Sequence, residues 1–199
     1  GISFPPKYQG ARKGDYPFFK VSDMNIIGNE TYMRISHNYI SDEVRQVLGA
    51  QPFPASTIVF PKVGGAIYTN KKRILQQASL IDNNLMGVTV TNSKACIPDY
   101  LFRWFETINL SDLCNPGPLP SITAARVKNQ SFPLPPLSEQ REICHLLAAV
   151  DQKIRAEETR MQALDALFKT LLHLLMTGRI RVKDLPLPES GVSPSASRE

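Results

Sequence analysis

The residues best equipped for chemistry lie between Phe60 and Asn84, in "FPKVGGAIYTNKKRILQQASLIDNN". Gly64-Gly65 permits a tight turn or bulge. Directly beyond it, Thr69, Asn70, Lys71, Lys72 and Arg73 place polar and cationic groups at consecutive positions. Lys, Arg and Thr reach phosphate oxygens, while Asn and Arg match base edges. The same five residues would also suit a solvated hairpin turn, and at this level both readings stand. A nucleotide-binding loop does not, because the GxxxxGK[ST] spacing is absent. Arg12-Lys13, ahead of Gly14, forms a second basic group in a polar loop and suits a phosphate clamp. Lys7, Lys20, Arg34, Lys94, Arg126 and Lys128 scatter further cations over the same part of the chain.

Other chemistries find little to work with. A methyltransferase needs a Gly-rich cofactor loop and an Asn-Pro-Pro-aromatic loop, and the nearest run is "NPGPL" at Asn115. Pro98-Asp99 could open a nuclease motif, but Glu106-Thr107-Ile108 lacks the lysine that should close it. Neither GxSxG nor HExxH occurs. His37, His145 and His173 stand apart from one another and from any carboxylate at metal-ligand spacing. Cys96, Cys114 and Cys144 fit neither a disulfide framework nor a zinc site, and they read as small buried hydrophobes in a reducing compartment. A catalytic role is not expected, nor is a bound metal.

The 199 residues allow one ordinary domain with an appendage, or two small domains. No apolar run approaches the ~18 residues that span a bilayer. A secretory leader is not evident after Gly1, and the expected location is the cytoplasm. The net charge of +5 is unevenly distributed. Residues 1–137 hold 14 Lys/Arg against 9 Asp/Glu, whereas residues 138–199 hold 9 of each. A basic part followed by a neutral part is the pattern of a polyanion-binding head on a protein-binding stem.

The join lies in "FPLPPLSEQREI". Pro135 and Pro136 hold the chain extended, and Ser138 is a fitting N-cap with Glu139 complementing the helix dipole. Arg141 stands where a capping box would want Glu or Gln. From there Ile143, Leu147, Val150, Ile154, Met161, Leu164, Phe168, Leu171 and Leu175 follow a heptad spacing, interrupted at Glu157. That is the signature of a coiled-coil helix, roughly 60 Å long, with Gly178 as its stop. Its seam needs a partner helix. Leu167, Leu172 and Leu174 widen the stripe towards a bundle. Glu157 is either a register device or meets a cation or solvent. Beyond Gly178, "RIRVKDL" reads as a short basic strand-like piece and "PLPESGVSPSASRE" as disordered.

The head mixes strand-like runs, at Tyr16–Met24, Ser56–Thr69 and Gly87–Thr91, with two helices. One is Ser41–Gly49, with a serine cap and a closing glycine, and the other starts near Asp99. Strands and helices do not alternate regularly. The expected fold class is therefore a mixed α/β, α+β-like domain followed by a long C-terminal coiled-coil helix. Its parts would be 1–137, 138–178, and a basic segment with a disordered tail over 179–199.

"FPLPPLSEQREICHLLAAVDQKI", with the heptads after it, resembles the region closing a target-recognition domain in specificity subunits of type I restriction–modification enzymes. "VFPKVGGAIYTNKKRILQQASLIDNNLMGV" is similar to a stretch inside those domains. The two lie within a resemblance running from Phe4 to about Val182. It implies a non-catalytic subunit whose head reads one half of a split site in double-stranded DNA. Its helix would set the half-site spacing and dock modification (methyltransferase) subunits, and possibly a restriction subunit. S-adenosylmethionine would be bound by those partners, leaving this chain without a cofactor.

Carried over residue by residue, the resemblance assigns Lys62, Thr69, Asn70, Lys71, Lys72, Arg73, Asn83 and Asn84 to DNA, with Arg12, Lys13 and Arg34 on phosphates. Asp82-Asn83-Asn84 can equally be a plain turn. The nine heptad residues become helix-pairing or partner contacts. The family carries two recognition domains and two long helices per subunit, but one of each is present here, as in a half-subunit that homodimerises or pairs with a second half, or in a fragment. A symmetric dimer would read a palindromic split site. The alternatives are an antirestriction decoy that captures modification subunits, and a coiled-coil scaffold whose head binds protein rather than DNA.

Overall fold

The computed structural model describes residues 1–115 and 117–184. The tail read as disordered, from Pro186 onward, lies outside them. The chain divides into two compact units, Gly1–Leu146 and the remainder from Leu147.

Among the described residues the first unit forms three small sheets. Strands β1 (Tyr16–Phe19), β2 (Tyr32–Met33) and β3 (Tyr39–Ile40) precede the short helix α1 (Asp42–Val47). Then come β4 (Ile58–Pro61), β5 (Arg73–Leu75), β6 (Leu80–Ile81) and β7 (Leu85–Val88). One sheet has the order β3-β1-β6 and another β2-β5-β4-β7. β4 is flanked by antiparallel neighbours on both sides, whereas β1 with β6 and β2 with β5 are parallel pairs. All four β4 residues are buried. Strand alternation sends Ile58 and Phe60 into one apolar cluster and Val59 into another, so both faces of β4 are covered. In β1, Phe19 joins the Val59 cluster, while Phe18 stacks on Phe4 with centroids 3.7 Å apart.

Helix α2 (Pro98–Thr107) lays Tyr100, Leu101, Phe102 and Phe105 onto the Ile58–Phe60 side. The hairpin β8 (Cys114–Asn115) with β9 (Ser121–Ile122), and α3 (Ala124–Lys128), complete the unit as far as the prolines. Phe132 packs edge-on against Trp104, 4.9 Å between centroids, and against Tyr100 at 5.7 Å. The Tyr100 hydroxyl donates to the Pro133 carbonyl. The proline run is therefore docked on α2.

Helix α4 (Leu137–Met176) follows, 40 residues long. It starts one residue before the expected Ser138 cap, with the Gln140 N–H bonded to the Pro136 carbonyl. Pro136 thus stands in the cap position and the chain turns helical directly after it. At the far end the cap is of the Schellman type. Gly178, at φ +68°, donates to the Leu175 carbonyl, and Arg179 donates to that of Leu174. Within the second unit the heptad seam is uncovered, with Leu147, Val150, Ile154, Met161, Leu164 and Phe168 between 40% and 66% exposed. Glu157 is ion-paired within its own helix, to Lys153 at 2.7 Å and Arg160 at 3.9 Å.

The long helix, the Ser41 cap (which accepts from the Val44 N–H) and the α2 start match expectation. The strand-like runs shrink. β1 stops at Phe19, because the Asp23 carboxylate accepts from the Lys20 N–H and closes a 3-10 turn over Val21–Asn25. The run from Ser56 is extended only over β4. Gly64, at φ +74°, ends it, and Gly65–Thr69 winds into a 3-10 turn. The Gly87–Thr91 strand lies earlier, as β7. "RIRVKDL" forms no strand among its described residues, and Val182–Asp184 is a 3-10 turn.

Candidate nucleic-acid interface

The five residues from Thr69 to Arg73 do not form one exposed basic tip. Asn70 sits in the left-handed region at φ +53°, which asparagine tolerates better than most residues. Its Oδ1 accepts from the Leu110 N–H and from Lys72 Nζ, both at 2.9 Å. Lys72 is only 5% exposed, and its ammonium also donates to the Ile108 carbonyl at 2.5 Å. Ile108 is the C-cap of α2, where a cation complements the helix dipole. Burial lowers the Lys72 pKa below its ordinary value. Lys72 and Asn70 thus fasten the loop to the end of α2. Thr69 closes its own turn through the Ala66 carbonyl. Arg73 opens β5, half-buried, with one guanidinium N–H on the Lys72 carbonyl. Burial also lowers its pKa, opposed by the nearby Glu30 carboxylate.

Lys71 reaches outward, and its ammonium bonds Asn25 Oδ1. That contact joins the 69–73 loop to the Asn25–Ile35 segment, which is organised by Asn29. The Asn29 side chain is fully buried, donating to the Asp23 and Ile35 carbonyls and accepting from the Arg34 and Ile35 N–H groups. Arg34 leaves this knot exposed, its guanidinium 5.5 Å from the centre of the Tyr32 ring. Arg34 and Lys71 are therefore carried by adjoining segments.

Arg12 and Lys13 are exposed in their loop, and the Arg12 guanidinium lies 2.6 Å from His37 Nδ1. Burial, the largest influence, raises the pKa of nearby Asp23, against the pull of its hydrogen bonds to the Lys20 and His37 backbone and of their charges. Lys62 is half-buried at the end of β4, and its N–H bonds the Asn84 carbonyl at 2.8 Å. Asn83 and Asn84 are exposed. The Asp82 carboxylate accepts from the Asn84 N–H at 2.9 Å, so Asp82-Asn83-Asn84 does form a turn. The structure brings Lys62 next to Asn84 and Lys71 next to the Arg34 segment, and it takes Lys72 out of solvent. No group of His, Cys, Asp and Glu among the described residues could hold a metal ion.

Gln140 carries no role of its own in the sequence pattern of the join. It is fully buried at the join, where its Oε1 accepts from the Ile97 N–H at 3.0 Å and its Nε2 donates to the Ala95 and Pro135 carbonyls, each at 2.8 Å. A glutamine one turn into an otherwise charged helix start was the available signal. Asn29, in "IIGNETY", left no comparable trace.

Comparison with known proteins adds the lineage. The family described as "Type I restriction modification DNA specificity domain" matches residues 3–166. The type I restriction enzyme MjaVIII specificity subunit of Methanocaldococcus jannaschii is 26% identical over 130 residues, covering 63% of this chain and 30% of that protein. Among solved structures, one described under complex assembly and conformational transition of the type I R-M system aligns at TM-score 0.69 and 18% identity, covering 93% of this chain and 43% of that one. The HsdS subunit from Thermoanaerobacter tengcongensis aligns at TM-score 0.62 and 18% identity, covering 93% and 42%. The chain thus spans less than half the length of these relatives, and the structural likeness concerns the fold. With the family matched across the head and most of α4, the chain belongs to the type I restriction–modification DNA specificity domain family.

Proposed function

We propose that this chain is a non-catalytic specificity module of a type I restriction–modification system. The head reads one half of a split site in double-stranded DNA, and α4 docks modification subunits. The carrying observation is the placement of charge: the whole basic excess precedes α4, with Arg12, Lys13 and Arg34 exposed on the head and Lys71 partly so. Lys72 and Asn70 serve this reading as supports of the loop rather than as contacts, and Thr69, Lys62, Arg73, Asn83 and Asn84 remain candidates at the surface. The uncovered seam on α4 suits a second long helix, supplied by another copy or a second half-subunit, and a symmetric pair would read a palindromic split site. S-adenosylmethionine would be held by the modification subunits, and the complex would work in the cytoplasm.

The test is duplex DNA binding by the chain, assembled with its modification subunits, across a salt series. Neutralising several phosphates makes log K fall linearly with log salt, with a slope near −0.9 per phosphate contact. A steep slope with selection of one sequence supports the reading. Salt-insensitive behaviour would favour a protein-binding scaffold instead. Capture of modification subunits without DNA methylation would mark a decoy.

A further inference from the structure

Ile27 is 89% exposed, yet it is not on a loose loop. The preceding turn closes through the Ile26 N–H on the Asp23 carbonyl, and the Asn29 N–H returns to the Ile26 carbonyl. Gly28 takes φ +97°, and its N–H is held by both oxygens of the Glu30 carboxylate, at 2.9 and 3.0 Å. Beneath the tip lies Ile35, whose Cδ1 would be 3.3 Å from a Cβ placed on Gly28. The buried Asn29 side chain ties the two ends of the segment together. An isoleucine is thus held rigidly in water, on a segment bearing Arg34 and bonded through Asn25 to Lys71.

A side chain with no hydrogen-bonding capacity, on a segment that carries one cation and is bonded to another, suits a polyanion that also presents an apolar group. In duplex DNA the major-groove edges are donors and acceptors except for the C5-methyl of thymine. We infer that Ile27 is a specificity-determining residue that packs on a thymine methyl, with Arg34 and Lys71 on the flanking phosphates. This rests on the DNA reading above and goes beyond it by naming a base and an atom. The Glu30 carboxylate keeps its charge, held by the Gly28 N–H and offset in part by the nearby Arg73.

The test uses the chain assembled with its modification subunits and a randomised duplex library, from which the wild type selects its site. Each thymine in that site is then replaced singly by deoxyuracil, which removes the methyl and keeps the pairing. At one position the replacement should weaken wild-type binding roughly fourfold, about the worth of one buried methyl. The same replacement should leave Ile27→Ala unaffected. Ile27→Ala should lose a similar factor on the unmodified site, with an unchanged salt slope and an unchanged melting temperature.

Equal deoxyuracil profiles for the two proteins overturn the inference, as does a selected site without thymine. If Ile27→Ala binds weakly while no deoxyuracil position matters, Ile27 acts as a wedge or partner contact and the thymine assignment fails. A wild type that enriches no sequence overturns the DNA reading itself, and with it this inference, before any variant is made.

Discussion

The Gln140 side chain accepts the N–H of Ile97 at 3.0 Å, and Ile97 is the N-cap of α2, a helix with no side-chain cap of its own. In a capping box, a Glu or Gln in the first turn reaches back to the cap N–H of its own helix. Here a glutamine in the first turns of α4 performs that service for α2. Its amide N–H groups hold Ala95, in the approach to α2, and Pro135, in the approach to α4.

Gln140→Ala leaves one backbone donor and two carbonyls in or near the core without partners. With roughly 1–3 kcal/mol for each buried group left unmade, the expected loss is about 3 kcal/mol, read from urea denaturation. Gln140→Glu should be pH-dependent. Ionised, it would set a carboxylate against two carbonyl oxygens, whereas protonated it can still donate once. Its folded-state pKa would be raised, so stability would be present at low pH and lost as pH rises through that value. A flat urea midpoint between about pH 4 and pH 7 would count against the geometry.

Lys72 gives a prediction of the opposite sign. Burial lowers its folded-state pKa. Between that value and the ordinary lysine range the unfolded chain holds a proton that the folded chain has released, so stability rises with pH there. The difference in urea midpoint between the wild type and Lys72→Met should shift in favour of the wild type from about pH 8 to pH 10. A constant difference would mean that the ammonium is better solvated than its 5% exposure indicates.

Gly14 lies against the backbone of β3. A Cβ there would stand 2.7 Å from the Ile40 carbonyl oxygen and 2.9 Å from the Ile40 nitrogen. Gly14→Ala must move the loop ahead of β1 off β3, at a cost of about 1–3 kcal/mol by thermal or urea unfolding. Because Gly14 follows Lys13, DNA binding should also weaken at temperatures where the variant is still folded.

Arg34→Gln and Lys71→Gln should each reduce the salt slope of DNA binding by about one, with losses spread evenly over sequences rather than confined to one base pair. An unchanged slope for both would remove this face from the interface.

Along α4, Ile154→Asp combined with Leu164→Asp places charges on an exposed seam. Light scattering should then give the 22.2 kDa chain, and the wild type about twice that mass if, as proposed, a second copy covers the seam. The head should melt unchanged, since neither residue belongs to its core.

The periodic and punctuated elements were legible in sequence. Heptad spacing and Gly178 announced α4 and its end, and Ser41 with its acidic neighbours announced α1. The mixed fold class followed from irregular interspersion. What escaped was set by distant pairing. β2, β6 and β9 are two residues each, too short for any alternation, and β6 exists because Phe18 and Phe19 lie beside Leu80 and Ile81. Lys72 looked like its neighbours in "TNKKR". Its burial depends on where α2 ends, 36 residues later, and no local pattern carries that. Asn29 escaped for another reason: its partners, the backbone of Asp23, Arg34 and Ile35, are close in sequence, but the loop that gathers them has no periodicity to announce it.

The docking of Gln140 also bears on the order in which the molecule is completed. Chains emerge from the ribosome N-terminus first, and domains begin to fold as they do. When the last residue of α2 is made, the N–H of Ile97 and the carbonyl of Ala95 still await a partner more than thirty residues downstream. The Trp104 and Tyr100 rings likewise wait for Phe132. The head therefore cannot reach its final state during synthesis until the first turns of α4 have emerged. Maturation of the basic surface is tied to the arrival of the helix, so a chain stalled before the join would present an unfinished head rather than a free one.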